Sequence, residues 1–305
     1  MHLQYLNLRG NELKIIDFKW LSHLSSLEGL ALNFINLSSI ASDWMEVVSH
    51  LPNLTTLRML GCDLPPMSLS SLPHLNHLKS LTFLESLDLR FNKLVHIPKS
   101  FGDICTLREL YLYSNNLNGQ LVELMNNLSR CAKDSLEVLD LSYNQITRLL
   151  PNFAIVPSLK EIYLSANRLN GTLPKSIRNL YKMEVLFVSS NFLEGVISRS
   201  LFSNLSKLQY LVLFNNSLSL EFNLDWVPPF QLDDINLTSC NLGPRFPNWI
   251  QTQNKVSSLQ ISDIKILDTI PVEWLANLPP TLSLLNLSNN LIYGAVTKCV
   301  NKEIE

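Results

Sequence analysis

Leucine-type residues recur along the chain in a phase that alternates over a few positions and then breaks at an asparagine. The clearest copy runs from Leu159 to Leu180. There Leu159, Ile162, Leu164, Asn167 and Leu169 are followed by Gly171, Leu173 and Pro174. Ile162 and Leu164 alternate with their neighbours as a strand with one buried face does. Asn167 then turns the chain, and its amide can satisfy backbone groups of adjoining coils that would otherwise be buried unpaired. Such a unit cannot bury its apolar face alone. It needs copies of itself on either side.

The copies open at Leu3, Leu27, Leu54, Leu84, Leu107, Leu136, Leu159, Met183, Leu208, Leu232, Val256 and Leu282, spaced 23 to 30 residues apart. The asparagine position holds Asn11, Asn92, Asn115, Asn144, Asn167, Asn191, Asn216 and Asn290. Cys62 and Cys240 take it in two units, and Ile35 and Ile264 in two more. Twelve units in phase predict an α/β repeat solenoid over residues 1–294, with one parallel strand per unit on a concave face. Each strand is expected over the x-x-L-x-L core of its unit, with short helical turns and loops on the convex side. More helix is expected in the longest units, around 67–79 and 120–133. Residues 295–305 break the pattern and read as a degenerate tail. No amphipathic cap covers Leu3, Leu6 and Leu8, so the chain reads as uncapped at both ends and as a piece of a longer protein.

Composition changes this picture little. A solenoid has one continuous core, so 305 residues need not mean two domains. A net charge of -2 and a pI near 6.3 give no reason to expect nucleic acid or an anionic membrane as partner. No apolar run of about 20 residues could span a bilayer. Met1-His2-Leu3 enters the first unit at once, without a signal-peptide pattern.

The exits from the asparagine turn carry a second motif. Leu169 to Pro174 reads L-x-G-x-L-P in full, while Leu242 to Pro247 and Ile266 to Pro271 match without its glycine. Leu117 to Gly119, Leu193 to Gly195 and Ile292 to Gly294 keep the first half. On these residues the chain resembles the plant-specific class of leucine-rich repeats, a horseshoe or superhelix found mainly in cell-surface receptors and secreted inhibitors. Two segments narrow the resemblance: Cys105 to Leu141, with SRCAKDSLEVLDLS inside, and Phe222 to Asp268. Both resemble plant receptor-like proteins of the fungal-xylanase-receptor type, of which this chain matches a middle, partial ectodomain. The resemblance implies a signal peptide, caps, one membrane helix and a short tail without a kinase in complete members. It also implies recognition at the extracellular face of the plasma membrane, in plant defence or development, with a receptor-kinase adaptor and a co-receptor as partners.

Five cysteines fall into three groups. Cys62 and Cys240 occupy the asparagine position and read as small buried thiols. Cys105 and Cys131 lie in the turns leading to Leu107 and Leu136, on the back of consecutive coils, and are candidates for a bridge in an oxidising compartment. Cys299 falls in the tail. Asn-x-Ser/Thr occurs at Asn36, Asn53, Asn127, Asn170, Asn204, Asn215, Asn236 and Asn286. Asn127 and Asn204, in convex-side turns, are the expected acceptors, with Asn170, Asn53 and Asn36 as further candidates. Asn236 and Asn286 face the concave side.

Catalytic chemistry finds no constellation. His74-x-x-His77 is the one suggestive spacing for a metal, and it has no nearby carboxylate except Glu85. Asp233 and Asp234 are neighbours on a strand, so their side chains point to opposite faces and cannot act together as acid and base. There is no phosphate loop and no nucleophile elbow. The reading is therefore no enzyme, no metal and no cofactor.

Binding remains, and the strand pattern says where. Residues flanking the inward leucines of the fifth to ninth units face the concave side, among them Tyr111, Tyr113, Asp140, Tyr163, Phe187, Tyr210 and Phe214. Adjacent strands lie about 4.8 Å apart, so these side chains form an expected partner-binding patch, for a protein, peptide or glycan. Two functions fit: a receptor-like recognition ectodomain, or a soluble secreted inhibitor or decoy of cell-wall-degrading enzymes.

Overall fold

The computed structural model describes residues 2–15, 17–40, 44, 48–64 and 81–294. The helix expected around 67–79, His74, His77, Cys299 and the tail 295–305 lie outside the described residues. In chain order the strands begin with β1 (Tyr5–Asn7), β2 (Gly29–Ala31), β3 (Thr56–Arg58), β4 (Ser86–Asp88), β5 (Glu109–Tyr111) and β6 (Val138–Asp140). Then come β7 (Thr147–Leu149), β8 (Glu161–Tyr163), β9 (Arg168–Gly171), β10 (Val185–Phe187) and β11 (Phe192–Ser198). The last are β12 (Tyr210–Val212), β13 (Ser217–Glu221), β14 (Asp234–Asn236), β15 (Ser258–Gln260) and β16 (Leu284–Asn286). Twelve of them pair in parallel, in the order β1-β2-β3-β4-β5-β6-β8-β10-β12-β14-β15-β16. The protein is a leucine-rich-repeat solenoid, with one strand of this sheet for each repeat.

These strands are shorter than the x-x-L-x-L expectation. Each covers x-L-x around the first inward leucine, as in Glu109-Leu110-Tyr111. The second leucine lies just past the strand, although its N–H still reaches the next coil: Leu112 donates to the Asp140 carbonyl at 2.8 Å. Two residues further on, the backbone enters the left-handed region. Phe34, Phe91, Ser114, Tyr143, Ala166 and Ser190 all sit there, at φ between 52° and 62°. This reversal ends the strand and aims the following asparagine inward.

The asparagines then link the coils. Asn144 Nδ2 donates to the carbonyls of Leu112 on the preceding coil and of Leu141 and Ser142 on its own, at 3.1, 2.9 and 3.1 Å. Its Oδ1 accepts the Leu117 N–H at 3.0 Å. Asn115, Asn167, Asn191 and Asn216 repeat the arrangement. All five are buried. This ladder satisfies backbone groups that the stacked leucines seal from water.

Cys62 and Cys240 replace the amide with a thiol. Cys62 Sγ donates to the Leu32 carbonyl at 3.1 Å. Burial pushes Cys62 up to about 11 and Cys240 up to about 12, from an ordinary 9.0. The unfolded chain ionises these thiols at lower pH than the folded one. Their stabilising contribution is therefore complete below pH 9 and is lost as pH rises through about 11 to 12. Neither thiol should react with iodoacetamide in the native protein at mildly alkaline pH, and both should react in guanidinium. Native-state labelling at the rate of a free thiol would contradict this burial.

A second, smaller sheet, absent from the sequence-based expectation, runs β13-β11-β9-β7. It is built from the exits of the asparagine turns, where the L-x-G motif lies. Gly171 is at φ +73°, and a Cβ there would collide with the Leu149 side chain. Glycine thus allows these strands both their backbone and their close packing.

On the convex side, helix α1 (Leu121–Leu128) buries Leu121, Leu124, Met125 and Leu128, as expected for that long unit. It packs so closely on the turn Lys99–Asp103 that a Cβ on Gly102 would strike the Asn127 carbonyl. Asn127 itself is half-buried, and its Nδ2 donates to the Ile97 carbonyl at 3.0 Å. The expected acceptor Asn127 thus lies on α1 rather than in a turn, with its amide engaged in the folded chain. Asn53 Nδ2 is likewise engaged, by the Ser25 carbonyl at 2.9 Å. Cys105 and Cys131 are joined across these two coils, with Cα atoms 4.8 Å apart. Further along, Phe202, Phe222, Trp226, Phe230 and Trp249 close into one aromatic cluster, with ring centroids 4.3 to 6.4 Å apart. Much of the distinctive Phe222–Asp268 segment thus serves packing.

Candidate ligand-binding surface

Register decides which side chains meet on the concave face. The positions between the two inward leucines, at the end of each strand, run Arg58, Asp88, Tyr111, Asp140, Tyr163, Phe187, Val212 and Asn236 across β3 to β14. Tyr163 and Phe187 meet edge to face, 5.2 Å between centroids. The Tyr163 hydroxyl donates to Glu161 Oε2 at 2.8 Å, which holds the ring upright on its strand. Burial, then that hydrogen bond, raises the Tyr163 hydroxyl pKa. Burial pushes the Tyr111 hydroxyl up to about 12, with the Glu109 charge adding to it. Both therefore remain neutral donors at physiological pH.

Asp140 lies between Tyr111 and Tyr163 in register. Burial raises its pKa, opposed by the Ser142 N–H at 3.0 Å and by the charge of Arg90. Arg90 is fixed by two bonds to Asp88, at 2.9 and 2.8 Å. Its guanidinium also lies over the Tyr111 ring, 5.2 Å from the centroid.

The seven side chains expected to form one patch are all half-buried on this face, but they do not make one column. Tyr163 pairs with Phe187. Tyr113 instead packs between Phe91 and Tyr143, at 5.1 and 4.9 Å. Tyr210 and Phe214 make no ring contact among the described residues. Phe91 and Tyr143 were not singled out from the sequence. They hold the left-handed position before the asparagine, where the repeat pattern reads only as turn, and they are 50% and 57% exposed.

Toward the N-terminal end lies a feature that sequence reasoning missed entirely. A depression of about 520 Å³ is lined by Arg9, Phe34, Arg58, Asp88, Arg90 and Tyr111, among others. Arg9 sits over Phe34, 5.4 Å from the ring centroid. Arg58 is exposed and has no ionic or hydrogen-bonding side-chain partner among the described residues. The three arginines come from separate repeats, 49 and 32 residues apart in sequence, so no local motif announces them. Among the described residues no group of three or more His, Cys, Asp or Glu is placed to hold a metal ion. Nor is any helix there long and apolar enough to cross a membrane.

Two leucine-rich-repeat family models match the chain, one at residues 157–218 and the other at 2–24, 83–104, 106–128 and 135–154. Receptor-like protein EIX1 of Solanum lycopersicum is 33% identical over 419 aligned positions, covering 98% of this chain and 40% of that protein. Receptor-like protein EIX2 of the same plant is 33% identical over 293 positions, covering 72% of this chain and 28% of that protein. The chain thus spans well under half the length of these relatives. Among solved structures, the plant peptide hormone receptor RGFR1 in complex with RGF2 superposes with a TM-score of 0.72 at 24% identity. That match covers 95% of this chain and 44% of the other, and it establishes likeness of fold alone. Repeat phase, asparagine ladder, second sheet and identity to the tomato proteins agree: the chain belongs to the plant leucine-rich-repeat receptor-like proteins.

Proposed function

We propose that this chain is the recognition portion of a cell-surface receptor-like protein, without a catalytic role of its own, and that its concave face binds a polypeptide. The observation that carries the reading is the sequence of environments along one sheet. An arginine-lined depression over β1 to β5 is followed by the Asp140 carboxylate between two neutral tyrosines and then by the Tyr163–Phe187 pair. A polypeptide that meets all three carries an acidic group toward β3, a donor opposite Asp140 and apolar side chains toward β10. Extended repeat surfaces bind in this way, with a few aromatic and arginine anchors dominating the energy. The relatives' description as receptor-like proteins supports a role in recognition, and in this reading a separate partner passes the event on.

Selection of displayed peptides on the secreted chain tests this. Enriched peptides should carry acidic and aromatic residues. Replacing Tyr163 and Phe187 together by Ala should weaken them roughly tenfold or more, about 1–2 kcal/mol. Neither ring belongs to the leucine core, so the unfolding midpoint should barely move. Peptides that bind the double variant and Arg58→Ala as tightly as the parent would move the site off the concave face.

A further inference from the structure

The second sheet carries an apolar row that nothing in the fold covers. Leu149 on β7, Phe192 on β11 and Val196 four positions beyond it are 58%, 67% and 58% exposed. In register, Leu149 pairs with Asn170 of β9, and Asn170 pairs with Phe192. Asn170 thus stands between two exposed apolar side chains, on the same face and one strand spacing, about 4.8 Å, from each. It is also the first residue of Asn170-Gly171-Thr172.

The eight sequons differ in what their amides already do. The Nδ2 atoms of Asn53, Asn127 and Asn215 donate to neighbouring coils. Those of Asn36, Asn236 and Asn286 belong to side chains whose Oδ1 accepts from the i+2 residue. Asn170 and Asn204 are exposed, and their side chains make no hydrogen bond among the described residues. Of these two, only Asn170 lies in a row of exposed apolar groups. We propose that Asn170 is N-glycosylated and that the first N-acetylglucosamine lies across Phe192 and Leu149, so that the protein's own glycan covers this row. The C–H face of a pyranose is apolar and packs on an aromatic ring, while its hydroxyls keep the outer side wet. Leu149 already leans over Gly171, which leaves the Phe192 side of Asn170 open to the sugar.

The chemistry balances with a lipid-linked oligosaccharyl pyrophosphate as donor, supplied by the host's transferase. Nδ2 attacks C1 of the reducing-end sugar, the C1–oxygen bond to pyrophosphate breaks, and the amide loses one proton while keeping the other. Passage through a secretory compartment follows from the cell-surface reading above. The test supplies a signal peptide, so that failure of either reading leaves the other standing.

The full chain, secreted from cultured cells, is digested and its glycopeptides mapped, with Asn204 as an internal comparison. Asn170 should be occupied in most molecules. Thr172→Ala, which removes the sequon but keeps the asparagine, should lower the melting temperature by an amount on the order of 2 °C. The same change made in a Phe192→Ala background should lower it by much less. Trimming the glycan enzymatically to its first sugar, which needs no substitution, should leave the parent's melting temperature unchanged. An unmodified Asn170 in secreted protein overturns the proposal. So does an occupied Asn170 whose thermal effect is the same with and without Phe192, or one that disappears on trimming to the first sugar.

Discussion

Asn144→Ala should cost roughly 3–5 kcal/mol, although it removes only a small polar side chain from an apolar core. The loss has two parts. The Leu117 N–H, which Asn144 Oδ1 accepts at 3.0 Å, is left buried without a partner, a penalty of about 1–3 kcal/mol. The three bonds donated by Nδ2 vanish as well. The carbonyls they served retain other donors, because Asn115 also reaches Leu112 and Asn167 also reaches Leu141. In a quasi-one-dimensional array such a defect weakens one interface between repeats rather than the whole. Guanidinium unfolding should therefore show a lower midpoint and a broader or split transition. Amide exchange should accelerate most around β5 and β6. Asn118→Ala, at an exposed asparagine of the preceding unit, should stay within about 0.5 kcal/mol of the parent. A midpoint shift for Asn144→Ala no larger than that of Asn118→Ala would show that water replaces the amide and that the ladder is dispensable.

Opening the bridge between Cys105 and Cys131 should remove roughly 3–4 kcal/mol, the chain-entropy value for a loop closed across a sequence separation of 26. The loop contains α1, and Arg130 and Asp103 form an ion pair at 2.9 Å beside the bridge. These contacts persist after reduction, so the native fold should survive while the unfolded chain gains freedom. Denaturant midpoints with and without reductant measure the effect. The Cys105→Ser/Cys131→Ser double variant should match the reduced parent. Two alkylatable thiols at these positions in secreted protein, or equal midpoints, would contradict the assignment.

The solenoid was legible because its driving force is periodic. Each inward leucine and each asparagine recurs in phase, and burial follows from phase alone. The second sheet was not legible, although its motif was. Leu169 to Pro174 shows in the sequence only as the spacing L-x-G-x-L-P, whereas the pairing of β9 with β7 and β11 depends on neighbouring units aligning their exits. The concave candidates follow from the strand's period, which settles the direction of a side chain. Their grouping escaped, because contacts such as Phe91–Tyr113–Tyr143 join residues from different columns of the repeat. The arginine-lined depression escaped for a related reason: Arg9, Arg58 and Arg90 converge only through the stacking of coils.

The asparagine ladder has a consequence for how such a chain can be inherited. Every bond made by Asn144 or Asn167 ends on its own coil or on the one before it. A block cut out between equivalent positions of two units would bring the same donors and acceptors face to face, and the seam would close. Whole units can therefore be duplicated or lost with little disturbance, while a fractional change must be absorbed by a convex-side excursion such as the one that holds α1. That excursion leaves the β5–β6 register intact. An array of this build should diversify by two independent routes: reshuffled blocks that set its length, and single substitutions on the strands that set what it recognises.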